Sequence, residues 1–212
     1  LNPHIKVIGV EPSGAACMKA SLEKGEVVTL PHVNTIADGT AVQTPGEHIF
    51  PYLQENLDDV ITIDDDELIV AFLDMVENHK MIVENSGLLT VAALRHLNFT
   101  GKKVVSILSG GNMDVITMSS VVQHGLIQRD RIFTVSVLIP DKPGELVRVA
   151  SIIAENQGNV IKLDHNQFIS TNRYAAVELK VTLEAYGTDH KKKIVKALEE
   201  AGCKPKIIRA NL

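Results

Sequence analysis

Long apolar runs, basic clusters and closely spaced cysteines are all scarce in this sequence of 212 residues. The longest apolar runs, such as residues 132–140, have the length of a strand and fall far short of the ~18 residues that a membrane helix needs. Residues 1–10 lack the basic flank, the apolar stretch and the cleavage site of a signal peptide. We therefore expect a globular protein with neither a membrane span nor a secretory leader.

The charge balance argues against nucleic-acid binding. The sequence has 21 Lys plus Arg against 26 Asp plus Glu, and no long basic run could follow a phosphate backbone. Lys191, Lys192 and Lys193 lie in an amphipathic helical pattern that predicts a solvated face, with partner binding as the alternative.

The 8 histidines show no metal-ligand spacing. The 2 cysteines, Cys17 and Cys203, form no CxxC pair, which is typical of reduced thiols in a cytoplasmic protein.

Residues 1–127 alternate between strand and helix patterns, which predicts an open, mostly parallel α/β sheet. The predicted strands are 5–10, 59–63 and 103–108, with a shorter extended piece at 81–83. Helices are predicted over 15–23, after the N-cap Asp64, up to His96 and up to His124. Residues 27–51 predict a long irregular segment with at most one short helix. Because a buried parallel strand needs neighbours on both sides, we expect further strands upstream of residue 1 in a parent protein.

After Gly125 the pattern changes, and residues 128–212 predict a ferredoxin-like βαββαβ domain. A strand at 132–139 is followed by a turn and by a helix that ends near Asn156. The order is completed by a hairpin of strands 160–170 and 173–183, a helix over 189–201 and a strand at 206–209. We place the domain boundary near residues 127–130, where the two patterns meet, so that the first domain covers 1–127.

The tetrapeptide Ser109-Gly110-Gly111-Asn112 follows the predicted strand 103–108. Ligands of open α/β sheets collect at the carboxyl ends of strands, and glycine lets a flat ring approach the backbone. A hydroxyl at Ser109 can hydrogen-bond a ring nitrogen. The tetrapeptide alone is equally consistent with a plain strand-to-helix turn that Ser109 caps.

Four short segments occur in a fixed order along residues 1–125. They are Gly9-Val10-Glu11-Pro12, Thr35-Ile36-Ala37-Asp38-Gly39, Glu84-Asn85-Ser86-Gly87 and Ser109-Gly110-Gly111-Asn112. Together they resemble the fold type II pyridoxal-phosphate enzymes, in the branch of threonine dehydratase and serine racemase. The resemblance implies that residues 1–127 are the carboxy-terminal part of such a catalytic domain.

The resemblance also implies a site for pyridoxal 5′-phosphate. In that family the serine at the position of Ser109 hydrogen-bonds the pyridine nitrogen, so Ser109 and the adjacent Gly110 are expected at the ring. Glu84 is expected beside the ring and Gly39 in the pocket wall. Without the family, Glu84 is better explained as a carboxylate at a helix N-terminus. Asn112 matches a position that serves a nucleotide effector in some relatives, and a helix cap is the alternative.

The segment around Glu11 resembles the family's cation site, where a glutamate, a main-chain carbonyl and a second acid bind the metal through oxygen. Glu11 and Ala15 match two of these positions. Cys17 occupies the third, and its soft sulfur is a poor ligand for Mg²⁺ or Ca²⁺. We therefore expect a monovalent cation there, or none.

The family's catalytic lysine is not found in this sequence. That Schiff-base lysine lies in a Ser-x-Lys-x-Arg-Gly setting, which occurs nowhere in these 212 residues. The family's glycine-rich phosphate loop, whose N–H groups bind an anion, would fall just before Leu1. We therefore expect no catalytic residue here and little or no turnover by this chain alone.

Two segments of the second domain, Asp141-Lys142-Pro143-Gly144-Glu145-Leu146 and Gly158-Asn159-Val160, are similar to the ACT domain. ACT domains sense ligands in amino-acid metabolism. The resemblance implies an amino-acid effector bound by Asp141, Gly144, Asn159 and Val160, with its carboxylate at the helix N-terminus. It also implies side-by-side self-association as a homodimer or homotetramer. An ordinary Pro-Gly turn is the alternative.

The resemblance implies that the parent protein deaminates L-threonine, and also L-serine, to a 2-oxo acid and ammonia. An ACT domain implies feedback by an end product such as isoleucine or valine, which fits isoleucine biosynthesis. One alternative is a serine racemase or a serine-specific dehydratase. The other is an amino-acid-binding regulatory protein that retains a decayed catalytic remnant.

Overall fold

A computed structural model of the chain describes residues 2, 4–166 and 177–210. The chain divides into two compact units, Leu1–Val122 and Gln123–Leu212. Helices and strands are numbered below in chain order. In the part of the chain that the structure describes, none of the helices combines the length and the apolarity that crossing a bilayer requires.

The first unit contains a parallel pair of strands, β1 (Ile8–Pro12) and β2 (Asp59–Ile63), in which Gly9 lies opposite Val60. The strand β2 has the predicted bounds, whereas β1 begins three residues later than predicted and continues to Pro12. Helix α1 (Cys17–Lys24) ends at Gly25, whose φ of 78° terminates the helix in the left-handed conformation. The irregular segment that follows holds a 3₁₀ turn at Asp38–Thr40 and leads into α2 (Phe50–Asn56).

Helix α3 (Asp65–Asp74) begins at the predicted cap, Asp64, whose N–H donates to Glu67 Oε2 at 3.1 Å. A π-helical turn follows at Met75–His79. Helix α4 (Leu89–Ala92) is short and is flanked by 3₁₀ turns at Asn85–Leu88 and Ala93–His96. Buried residues of α3, α4, β2 and the 3₁₀ turn at Asn85–Leu88 contribute to the core of this unit, with Ile63, Leu68, Phe72 and Leu88 fully enclosed.

The predicted strand at residues 103–108 is wrong. These residues have no regular secondary structure, and Val105 and Ile107 are 88% and 72% exposed. A strand forms only where a second strand satisfies its backbone, and the described residues of the first unit supply only the β1–β2 pair. Instead, Thr90 Oγ1 donates to the carbonyl of Ile107 at 2.9 Å and Ser106 Oγ donates to the carbonyl of Thr90 at 3.2 Å.

Helix α5 (Val115–Gln128) is capped by Asp114, not by Ser109 or Asn112. The Asp114 carboxylate accepts hydrogen bonds from the N–H groups of Ile116 and Thr117 at 2.8 and 3.0 Å. It also accepts from the Thr117 hydroxyl, and these bonds hold the pKa of Asp114 below its ordinary value. The capping explanations for Ser109 and Asn112 therefore do not apply.

The second unit has the predicted ferredoxin-like order. Its elements are β3 (Ile132–Ile139), α6 (Glu145–Glu155), β4 (Asn159–Asn166), β5 (Val177–Glu184), α7 (Thr188–Glu200) and β6 (Lys206–Ile208). The antiparallel sheet has the order β4-β5-β3-β6. Residues 167–176, which include parts of the predicted hairpin strands, lie outside the described residues.

The core of the second unit lies between this sheet and its two helices. Val135 and Val137 of β3 are buried with Ile153 of α6 and with Ile194 and Leu198 of α7. The alternate residues of the strands point to the opposite face, where the hydroxyls of Thr134 and Thr182 lie 2.9 Å apart. The period-two pattern in the sequence thus corresponds to one apolar face covered by helices.

The prediction of a solvated face at Lys191, Lys192 and Lys193 is wrong for Lys191. Its ammonium donates to Asp130 Oδ1 at 2.6 Å and lies 5.6 Å from the centre of the Phe133 ring. Asp130 also accepts from Thr188 Oγ1 at 2.8 Å, so it links the start of α7 to the residues that precede β3. Only Lys192 and Lys193 are exposed as predicted.

Replacing Asp130 with Asn should lower the free energy of unfolding of the second unit by about 1 kcal/mol at neutral pH. The bond from Lys191 lowers the pKa of Asp130. A lowered carboxyl pKa contributes stability that is fully present above the ordinary value of about 4 and is lost as the pH falls through the folded-state pKa. Urea unfolding at several pH values should therefore show a difference between wild type and Asp130→Asn that shrinks in acid.

Glu200→Gln is the matched control, because the Glu200 carboxylate pairs with Lys196 at 3.4 Å while both side chains are more than two-thirds exposed. It should change the stability by less than about 0.5 kcal/mol. Equal effects of the two substitutions would contradict a specific role for Asp130.

Candidate functional site

Glu84 brings together segments that are far apart in the sequence. Its N–H donates to the carbonyl of Gly110 at 3.4 Å, and its Oε2 accepts from the N–H of Asn112 at 3.2 Å. A Cβ placed on Gly39 would lie 3.6 Å from Glu84 Oε1. Four of the predicted site residues, Gly39, Glu84, Gly110 and Asn112, are thus neighbours in the structure.

Glycine is strongly favoured at position 110 in this arrangement. Its φ is +80°, and a Cβ there would lie 2.2 Å from the Glu84 carboxyl carbon. The Glu84 carboxylate therefore occupies the space beside the loop that a side chain at position 110 would need. This contact fixes the loop that carries Ser109.

Gly87 also determines where Ser109 lies, and sequence reasoning did not identify it as a site residue. A Cβ on Gly87 would lie 1.9 Å from the carbonyl oxygen of Ser109. Gly87 is buried, whereas Ser109 is exposed, so the serine hydroxyl is open to a ligand. The only sequence signal for Gly87 was its place at the end of the segment Glu84-Asn85-Ser86-Gly87.

Two buried polar atoms next to Glu84 have no hydrogen-bond partner among the described residues. They are Asn85 Oδ1 and Ser86 Oγ. Asn85 is 3% exposed, and its Nδ2 donates to the carbonyl of Ile36 at 2.9 Å. Because an unsatisfied buried acceptor costs free energy, such atoms often mark the place where a ligand or water completes the bonding.

A cleft of about 400 Å³ opens beside these residues. Its walls come from residues 35–38, 84–85 and 112–121, so it includes Glu84, Asn85 and Asn112. The start of α5, with its cap Asp114, forms one side. Ser109 and Gly110 are adjacent in sequence to this wall but are not part of it.

Glu11, the predicted cation ligand, binds the start of helix α1. Its Oε1 accepts from the N–H of Met18 at 2.9 Å and its Oε2 accepts from the N–H of Lys19 at 2.8 Å. Burial raises the pKa of Glu11, and these N–H groups and the Lys19 charge oppose that rise. Ala15 and Cys17 are buried nearby, with Cys17 Sγ 4.0 Å from Glu11 Oε1.

The cation site stays a prediction. Among the described residues, no group of three or more His, Cys, Asp or Glu side chains is arranged to hold a metal ion. Burial and the Glu11 charge raise the pKa of the Cys17 thiol, which keeps the thiol protonated. The contacts of Glu11 are those of a carboxylate at a helix N-terminus.

The four predicted effector residues do not lie together within one chain. Asp141 and Gly144 follow the end of β3, where Ile139 pairs with Val177. Asn159 and Val160 begin β4 at the other end of the sheet, where Asn159 pairs with Glu184 and Glu184 pairs with Ile132. Helix α6 returns the chain to that end, so β4 runs parallel to β3 with β5 between them.

The local contacts of these residues are nevertheless defined. Gly144, with a φ of 93°, directly precedes α6. Asn159 Nδ2 donates to Glu184 Oε2 at 3.2 Å. Val160 lies on the edge strand of the sheet and is partly exposed.

Comparison with known proteins gives a consistent set of matches. The family described as pyridoxal-phosphate dependent enzyme matches residues 1–110. The L-threonine ammonia-lyase of Geobacter sulfurreducens is 35% identical over 203 residues, which are 95% of this chain and 50% of that protein. The chain spans about half the length of the curated relatives it matches.

The chain also resembles solved structures. The processed form of threonine deaminase isoform 2 from Solanum lycopersicum is 35% identical with a TM-score of 0.53, over 57% of this chain and 36% of that one. Maize serine racemase is 34% identical with a TM-score of 0.50, over 58% of this chain and 40% of that one.

Residues that the sequence predicts at one side of a pyridoxal ring lie together around Glu84. The side chains of Glu84 and Ser86 fill the space next to Gly39, and that of Glu84 fills the space next to Gly110. The two unpartnered polar atoms, Asn85 Oδ1 and Ser86 Oγ, follow Glu84 directly in the sequence. Ser109 offers a neutral hydroxyl at the exposed end of the loop.

Replacing Gly87 with Ala should displace the Ser109 loop and destabilise the first unit by about 1 to 3 kcal/mol, because the added methyl group collides with the Ser109 carbonyl. Amide chemical shifts of residues 109–112 and thermal unfolding would report both effects. Gly111→Ala is the control for thermal unfolding, since a Cβ there would meet nothing closer than the carbonyl of Ile82 at 3.9 Å. Unchanged shifts in Gly87→Ala would contradict the proposed contact.

Proposed function

Because the chain belongs to the family of pyridoxal-phosphate dependent enzymes, we propose that it is part of a threonine dehydratase. The enzyme would convert L-threonine, and also L-serine, to a 2-oxo acid and ammonia by β-elimination. The observation that supports this proposal best is the exposed Ser109 on a loop that Glu84 and Gly87 hold in place. The 35% identity to an L-threonine ammonia-lyase supports the choice of reaction.

In this proposal the chain's own residues bind and orient one side of the ring. Ser109 would hydrogen-bond the ring nitrogen, and Gly39 and Gly110 would let the backbone approach the ring. When bound, pyridoxal phosphate acts as an electron sink for negative charge at the substrate's α-carbon. A neutral hydroxyl at Ser109 leaves the ring nitrogen uncharged, which suits elimination better than reactions that need a long-lived carbanion.

The removal of the α-proton would need a base that these 212 residues do not supply through the family's lysine motif. We therefore expect the chain by itself to be inactive. The lysine and the phosphate-binding loop would come from another part of the complete protein.

For the second unit we propose an ACT-type regulatory role with an amino-acid effector such as isoleucine or valine. The ferredoxin-like order of strands and helices supports this assignment. Within one chain Asn159 and Gly144 lie at opposite ends of the sheet, so a shared effector site requires two copies.

The edge strand β4 offers a way to bring two copies together. Its Val160, Ile161 and Leu163 are each more than a third exposed. If β4 pairs antiparallel with β4 of a second copy, the start of one strand lies beside the end of the other. Asn159 and Val160 of one copy would then approach Asp141 and Gly144 of its partner, which fits a homodimer or a homotetramer.

We also propose an alternative enzyme activity and a cellular location. The 34% identity to maize serine racemase favours a serine racemase or serine dehydratase as the second candidate enzyme. A cytoplasmic location is proposed from the two free, buried cysteines.

Turnover of L-threonine by the complete gene product tests the main proposal. We expect 2-oxobutanoate from threonine and pyruvate from serine. Ser109→Ala should lower kcat by about tenfold to a hundredfold, the cost of losing one hydrogen bond at the ring. Ser119→Ala, an exposed position on α5, should leave kcat unchanged.

Product analysis separates the alternatives. D-Serine as the main product would favour the racemase. Saturable isoleucine binding by a complete gene product that neither binds the cofactor nor forms product would favour the amino-acid-binding regulatory protein. Substantial turnover by residues 1–212 alone would contradict the assignment of the missing lysine.

A further inference from the structure

Asp65 is the first residue of helix α3, and its carboxylate binds a segment thirty positions away in the sequence. Its Oδ1 accepts the hydroxyl of Thr35 at 2.6 Å, and its Oδ2 accepts the N–H of Ile36 at 3.0 Å. Each carboxylate oxygen therefore has its own donor. Asp65 is not among the residues that line the cleft beside Glu84. Any influence it has on a ligand there passes through the segment that it binds.

The Thr35 hydroxyl extends this contact along the chain. Because its hydrogen is donated to Asp65, Thr35 Oγ1 is left as an acceptor, and the N–H of Ala37 donates to it at 3.1 Å. The carbonyl of Ala37 in turn accepts the N–H and the hydroxyl of Thr40, each at 3.0 Å. A continuous series of hydrogen bonds thus leads from Asp65 to Thr40, and Gly39 lies in the last turn of that series.

The backbone of Ile36 is held at both of its polar groups. Its N–H donates to Asp65, and its carbonyl accepts from Asn85 Nδ2 at 2.9 Å. The next residue, Ala37, is fully buried in the core of the first unit. Rotation of either peptide group of Ile36 would break one of these bonds. Side chains from two other segments therefore fix the conformation of residues 35–37.

The space around Gly39 is small, so the position of its backbone matters. A Cβ on Gly39 would lie 2.9 Å from Ser86 Oγ and 3.6 Å from Glu84 Oε1. Binding sites hold their residues to within about 0.5 Å by supporting hydrogen bonds of this kind. The bonds that begin at Asp65 supply such support to the segment that carries Gly39.

We propose that Asp65 is a positioning residue of the cofactor site, which acts through Thr35 on the wall at Gly39. The inference rests on the proposed function, because that proposal places Gly39 beside pyridoxal phosphate. Asp65 takes no part in the bond changes of the reaction. Loss of its carboxylate frees residues 35–37 and thereby weakens the binding of the cofactor.

Amide hydrogen exchange of the 212-residue chain tests the contact without cofactor or turnover. Asp65→Ala should accelerate exchange at Ile36 and Ala37 by about tenfold or more, because the first N–H loses its acceptor and the second loses the anchor of its acceptor. Glu55→Ala removes an exposed carboxylate on α2 and should change neither rate.

Substitutions of Thr35 repeat this test while the Asp65 charge stays at the start of α3. Thr35→Val removes the hydroxyl at nearly constant shape and should accelerate exchange at Ala37. Thr35→Ser keeps the hydroxyl and should restore the wild-type rate. Unchanged exchange at Ile36 in Asp65→Ala, or equal rates at Ala37 in the two Thr35 variants, would overturn the inference.

Titration of the complete gene product with pyridoxal phosphate, followed by the absorbance of the bound cofactor, tests the role in the site. Asp65→Ala should raise the dissociation constant by about tenfold, the effect of losing roughly one hydrogen bond, and Glu55→Ala should not alter it. Because Asp65 acts through Thr35, the double variant Asp65→Ala/Thr35→Val should bind no more weakly than the weaker of the two single variants. Circular dichroism of each variant confirms that the fold is retained.

Two results of this titration would contradict the positioning role while the proposed function stands. They are an unchanged affinity in Asp65→Ala and additive losses in the double variant. Failure of the wild-type complete protein to bind pyridoxal phosphate would contradict the proposed function itself, and this inference with it.

Discussion

The Glu84 carboxylate is the interaction on which the first unit's site depends. It accepts the N–H of Asn112, fills the space beside Gly110 and lies next to Gly39. Three segments that are separate in sequence therefore share one anchor. Gly87 reinforces the arrangement, because only a hydrogen at that position allows the Ser109 carbonyl to come so close.

This anchor gives the loop at Ser109 a defined position without a β-strand beneath it. The residues that precede Ser109 are exposed and unpaired by any described strand, so side-chain contacts replace the sheet as the support. The same carboxylate forms one wall of the cleft. Glu84 thus both supports the loop and lines the cleft.

Local patterns predicted what local interactions determine. The strands β2 and β3 have the predicted bounds, and Asp64 begins α3, because alternation and helix capping involve only neighbouring residues. The strand at 103–108 was wrong because an apolar run becomes a strand only beside a partner. The salt bridge of Lys191 with Asp130 joins residues sixty-one positions apart, and no local pattern indicates it.

The candidate site was predictable in part, for the same reason. The segments that carry Gly39, Glu84 and Gly110 were found from residue types in order, whereas their mutual contacts and the role of Gly87 needed the tertiary structure. The effector residues of the second unit are the opposite case, because the fold around them was predicted correctly and their separation within one chain was not. The order of elements was predicted, yet the register places Asn159 and Gly144 at opposite ends of the sheet.

Amide hydrogen exchange of residues 110–112 tests most directly whether Glu84 holds the Ser109 loop. Glu84→Ala should accelerate exchange at Asn112 by about tenfold or more, because that N–H loses its acceptor, while the exposed Glu23→Ala should leave it unchanged. Equal exchange rates at Asn112 in wild type and Glu84→Ala would contradict the central role assigned to this carboxylate.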